Sequence, residues 1–210
     1  MSSDNSLGNS TATTGDRLED AVRQVSTAVR KLTTVVRNFP PTAGCYIVAY
    51  VGQALLQRLH YETEIQIGFA GWQLGPDRND VILHFPVPET TFCLGPKVWI
   101  GYHAWLGCEG TIVDLTTFQL RRKALELDAV EGVHTTVQWC PEFLILPPNA
   151  VRTLKDLKNS TEPGTAYYER CPKLESFVKG REKIDTELIG LGHFLLSAPR
   201  TRIISPKDLL

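Results

Sequence analysis

Three side chains of this 210-residue chain could combine into a thiol nucleophile: Cys45, His103 and Asp114. Cys45 follows Pro40-Pro41-Thr42-Ala43-Gly44 and opens a run over residues 45–59 that is apolar nearly all round. A helix with no wet face belongs in the middle of a domain. With Thr42 as N-cap, Cys45 falls near the third helical position, where unpaired N–H groups and the helix dipole favour an anion. A thiol there gives up its proton more readily, and the thiolate is the reactive form. Gly44 would let a substrate approach the backbone, and the Cys45 N–H would donate to an oxyanion. The plainer alternative is a small buried side chain, since free cysteine is among the most buried residue types.

His103 and Asp114 lie in GYHAWLGCEGTIVDLTT, residues 101–117. Two β-rich runs, 98–106 and 111–116, flank Gly107-Cys108-Glu109-Gly110, and Glu109-Gly110 resembles the Asp-Gly centre of a two-residue hairpin turn. That turn sets Cys108 opposite Thr111, Trp105 opposite Asp114 and His103 opposite Thr116, with the last four residues on one face. Asp114 then becomes the diagonal neighbour of His103, with backbones about 7–8 Å apart. A slip of one residue would send the two to opposite faces. Trp99, Gly101 and Trp105 share the His103 face, while Tyr102, Ala104 and Leu106 read as core. A buried Asp114 needs a partner, and His103 is the nearest candidate. Alone the pair reads as a satisfied polar contact. With Cys45 upstream, the chain offers nucleophile, base and orienting carboxylate in order.

The elements that must position these residues follow from periodicity. Leu18, Val22, Val25, Val29, Leu32 and Val36 recur every three or four residues, predicting an N-terminal helix within residues 15–38. Its stripe should pack on the chain's own core, with a homodimeric coiled coil as the alternative. Asn38-Phe39-Pro40-Pro41 ends it. Strands are expected near residues 64–69, 81–85, 98–106, 111–116 and 133–146, and helices near 118–130, 149–158 and 174–184. A buried helix followed by antiparallel strands predicts an α+β domain over residues 15–210. Residues 1–14 are too polar to offset their ordering entropy and read as a disordered tail.

Composition removes several classes. Lys+Arg 22 against Asp+Glu 23 gives a net charge of −1, which supplies no broad field for nucleic acid or an anionic membrane. No apolar run approaches a membrane span, and the N-terminus lacks the pattern of a signal peptide, so a cytoplasmic location with reduced thiols is expected. Cys93, His103 and Cys108 are close in sequence but form neither a Cys-x-x-Cys pair nor a His-Glu-x-x-His motif, so no metal or other cofactor is expected, a Cys/His metal site being the less favoured alternative. Cys140 and Cys171 each precede a proline and read as structural. His60, His84, His134 and His193 have no thiol or acidic partner that sequence places. Arg121-Arg122-Lys123 reads as a solvated helix face. Trp139, Phe143 and the run 144–148 read as an ordinary core strand.

With Ala43-Gly44-Cys45 on a helix and HAWL…TIVDLTT on a hairpin, the sequence resembles the transglutaminase-like branch of the papain-like cysteine-enzyme superfamily over residues 40–120. The resemblance implies a papain-like core in which a buried helix bearing the cysteine packs on an antiparallel sheet. It also implies Cys45 as nucleophile, His103 as general base and acid, and Asp114 as the residue holding the imidazole. The expected substrate is a peptide or other amide, and the expected assembly a monomer or homodimer. Asn38 is the nearest polar candidate for the family's second oxyanion donor, with Gly44 and Trp105 as candidate cleft residues. Gly44-Cys45-Tyr46-Ile47 departs from the family's usual wording around the cysteine, and an inactive relative acting as a binding module is the alternative.

Overall fold

The computed structural model describes residues 14–36, 44–84, 92–94, 97–99, 101–182 and 184–201. Helix α1 (Thr14–Val35) takes in Thr14, which the composition assigned to the tail, and ends before residue 38. Leu18, Val22, Val25, Val29 and Leu32 are all buried, covered by α2 (Cys45–Arg58) and α6 (Thr186–Ser197) of the same chain. The stripe therefore does the work of an internal core, not of a dimer seam.

A six-stranded sheet carries the rest, built from β1 (Thr63–Gln73), β2 (Val81–His84), β5 (His103–Cys108), β6 (Thr111–Asp114), β7 (Leu144–Leu146) and β8 (Ala166–Arg170). All of its strand pairs are antiparallel. Strands β3 (Phe92–Leu94) and β4 (Lys97–Trp99) pair separately. The long strand β1 organises the sheet. Its Gly68 pairs with both His103 and Arg170, and its Ala70 with both His84 and Tyr168. Since β8 takes one edge at both positions, β5 and β2 must follow one another along the other edge. The end of β2 and the start of β5 thus meet at Gly68–Ala70. A side chain larger than hydrogen at Gly68 would strike the Glu169 carbonyl at 1.9 Å, so glycine permits β8 to close in.

The sheet has two unlike faces. Ile65, Ile67, Ala104, Leu106 and Val113 form an apolar core with α1, α2, α5 (Pro172–Arg181) and α6. Ala70, Trp72, Ile82, Trp105 and Tyr168 face the other way, against Leu120 and Ala124 of α3 (Leu120–Glu131). The chain is thus α+β, with the cysteine-bearing helix packed on an antiparallel sheet.

Several boundaries differ from the periodicity. The expected strand 98–106 is divided, because β4 pairs with β3 while β5 starts only at His103. Of the expected strand 133–146, only β7 pairs. The N–H groups of Thr135 and Thr136 are taken by the carboxylates of Asp128 and Asp80, and those of Gln138 and Trp139 by the single carbonyl of Leu74, so no ladder forms there. The helix expected at 149–158 resolves into a 3-10 turn at Pro148–Ala150 and α4 (Leu154–Asn159), opened by a Thr153–Asp156 capping box. Periodicity missed β8 and α6 altogether.

Candidate active site

The hairpin joining β5 and β6 takes the expected register: Cys108 pairs with Thr111, Gly107 with Ile112 and Leu106 with Val113. Glu109 and Gly110 have φ of 48° and 77°, the left-handed pair that a type I′ turn requires. His103 and Asp114 consequently share a face, and both are fully buried. His103 Nε2 lies 2.8 Å from Asp114 Oδ2. The carboxylate is saturated: Tyr168 Oη donates to Oδ2 at 2.8 Å, while the Thr116 N–H and hydroxyl donate to Oδ1 at 2.8 and 2.7 Å. Tyr168 is itself fixed, accepting from Trp72 Nε1 at 2.9 Å. Burial pushes the Asp114 carboxyl up, but the charge and hydrogen bond of His103, with the Thr116 donors, hold it well below the usual range. Asp114 is therefore an anion at neutral pH.

Cys45 is the first residue of α2, with Gly44 as N-cap (φ −81°, ψ 3°). This corrects the expected third helical position behind a Thr42 cap; Thr42 and Asn38 lie outside the described residues. At the first position the Cys45 N–H still has no intrahelical acceptor and stays free to donate. The thiol is buried, 5% exposed, and Sγ lies 3.9 Å from the Tyr102 carbonyl. Having given Nε2 to Asp114, His103 keeps Nδ1 buried with no hydrogen-bond partner. Cys45 is near enough for its charge to raise the imidazole, though no hydrogen bond joins its sulfur to Nδ1. Catalytic contacts are often long before substrate binds.

The electrostatics of the two groups agree. Burial pushes the Cys45 thiol up, yet the neighbouring imidazole of His103, joined by the charge of Lys123, outweighs it and holds the thiol below its ordinary value. Burial pulls His103 down, but Asp114, and then Cys45, raise it above an ordinary imidazole. Both shifts favour a thiolate–imidazolium pair, the state in which a cysteine is nucleophilic.

Trp105 is buried and stacks on His103, with ring centroids 6.0 Å apart and planes 17° apart. Its indole N–H donates to Gln66 Oε1 at 2.8 Å. Trp105 and Tyr168 form part of the floor of a groove of about 680 Å³ rimmed by Glu64, Glu109 and Arg170. Trp105 lines this groove and Cys45 does not.

Sequence reasoning missed three neighbours. His84 lies with its ring 5.2 Å from that of His103, and Lys123 reaches His84 Nε2 at 3.2 Å. Lys123 is only 6% exposed, which corrects the solvated reading of Arg121-Arg122-Lys123: only the two arginines face outward. Tyr168, the third, sits on a strand with no legible signal. Among the described residues no group of three or more His, Cys, Asp or Glu side chains is placed to hold a metal ion, and no helix is long and apolar enough to cross a membrane.

No protein-family model and no curated protein matches the sequence. The fold is similar to that of a solved structure described as "The crystal structure of genomics APC5867", with a TM-score of 0.53 at 16% identity over 85% of this chain and 78% of that one. At that identity the likeness concerns the fold alone.

Proposed function

We propose that the chain is a cysteine-nucleophile acyl-transfer enzyme of the transglutaminase-like, papain-like kind, hydrolysing a peptide or isopeptide-like amide. The observation that carries this reading is a buried His103–Asp114 pair with one ring nitrogen unpartnered, electrostatically coupled to a thiol at a helix N-terminus. The Cys45 thiolate attacks the amide carbon, and the carbonyl oxygen becomes an oxyanion that accepts from the Cys45 N–H. His103 Nδ1 gives its proton to the leaving amine, the C–N bond breaks, and a thioester remains on Sγ. Water then loses a proton to Nδ1 while adding to the thioester, the C–S bond breaks, and the thiolate–imidazolium pair returns. Asp114 stays ionised throughout and holds the imidazole in orientation. An amine in place of water would give transamidation by the same steps.

A p-nitrophenyl ester of an acetylated amino acid tests this without knowledge of the substrate. One acyl group should appear on Cys45 by mass spectrometry, be released by hydroxylamine, and be absent from Cys45→Ala. Acylation scattered over all the cysteines, or persisting in Cys45→Ala, would contradict the reading and favour a binding module.

A further inference from the structure

The mechanism above leaves unused a buried cation and a second histidine beside the thiol. Lys123 projects from α3 into the gap where β2 ends and β5 begins, and Nζ lies 3.2 Å from His84 Nε2. The other ring nitrogen, Nδ1, lies 3.2 Å from the Tyr102 carbonyl oxygen. A carbonyl only accepts, so Nδ1 carries the proton, and Nε2 is then the lone pair that receives the ammonium. This tautomer fits a neutral ring: burial, Lys123 and His103 all push His84 well below an ordinary imidazole. The same Tyr102 oxygen is the acceptor 3.9 Å from Cys45 Sγ. Four groups thus run in line: ammonium, imidazole, carbonyl, thiol.

This line matters when the thiol ionises. As a thiol, Cys45 donates to the Tyr102 carbonyl; as a thiolate, it cannot. The carbonyl then relies on His84 Nδ1–H, and a buried carbonyl without a donor is costly. Burial pulls Lys123 below an ordinary lysine while Cys45 and Asp114 pull it up. As an ammonium it keeps that proton on Nδ1 and brings a positive charge little screened in a buried site. No carboxylate among the described residues forms an ion pair with it. The charged and titratable groups facing it are Cys45, Asp114, His84, Arg122 and Glu126, and those facing Cys45 are His103, Lys123 and the Tyr102 phenol.

We propose that Lys123 and His84 are positioning residues that favour the thiolate of Cys45, Lys123 by its charge and by locking the His84 tautomer, His84 by holding the Tyr102 carbonyl. The proposal rests on the reading of Cys45 as nucleophile but concerns thiol ionisation, which is measured separately from acyl transfer. The test is the pH profile of Cys45 alkylation by iodoacetamide in the full-length protein, followed by mass spectrometry. In Lys123→Met the profile should move up by about one pH unit, making labelling near pH 6 about tenfold slower while the rate near pH 10 is unchanged. His84→Phe should move it the same way, and answers the question if Lys123→Met does not fold. A folded Lys123→Met with the wild-type profile overturns the proposal, as does a loss by the same factor at every pH. If the profile shifts as stated but the ester never acylates Cys45, the positioning role stands and the acyl-transfer reading falls.

Discussion

Two buried cysteines show what this site adds to a thiol. Cys108 closes the hairpin at the far end of β5, 2% exposed, and Cys45 opens α2 at the near end, 5% exposed. Burial pushes both thiols up. For Cys108 the neighbouring Glu109 pushes in the same direction, and the thiol rises to about 11. For Cys45 the imidazole of His103 and the ammonium of Lys123 reverse the sign. Two thiols both shut away from solvent are therefore inert at one end of a strand and ionisable at the other. The difference lies in charge placement, not in solvent access.

The largest test of that contrast is His103→Gln. Without the imidazolium, Cys45 should behave like Cys108, and its alkylation rate near neutral pH should fall by about 100-fold or more. Asp114→Asn comes next. The amide keeps the shape but loses the charge that raises His103, so ester acylation should drop by about 10- to 100-fold. It should also remove one acid limb of stability. Because the folded carboxyl lies below its unfolded value, its stabilisation is fully present above about pH 4 and is lost as the pH falls toward the folded value. Denaturant midpoints of the wild type should fall on acidification below about pH 4, and those of Asp114→Asn should fall less. Tyr168→Phe removes one donor to Asp114 and leaves the Trp72 indole N–H without its acceptor, a cost of about 1–3 kcal/mol in chemical unfolding. The smallest effect is expected for Gly110→Ala. Its φ of 77° strains any side chain by about 1–2 kcal/mol, yet the contrast between Cys45 and Cys108 should survive.

The hairpin was legible in sequence because its turn is local. Glu109-Gly110 dictates the pairing, and the pairing places His103 and Asp114 on one face before any tertiary contact is known. The α1 stripe was legible for the same reason, a period visible within one element. Tyr168 was not: five residues, Ala166–Arg170, carry no alternation that distinguishes them, and they become a strand only because Gly68 admits them to the free edge of β1. Lys123 looked like its arginine neighbours, and only the packing of α3 on the sheet separates the buried amine from the solvated guanidinium groups. His84 had no sequence partner because both of its partners, Lys123 and the Tyr102 carbonyl, are long-range. The segment 133–143 has strand-like composition, but side-chain carboxylates and one carbonyl of β1's continuation claim its N–H groups first.

The most direct measurement is the pH dependence of iodoacetamide labelling at each cysteine of the wild-type protein. Cys45 should react first, with a profile whose midpoint lies below that of an ordinary thiol, while Cys108 stays unmodified until strongly alkaline pH. Cys45 labelling no faster than Cys108 across the whole range would contradict this expectation.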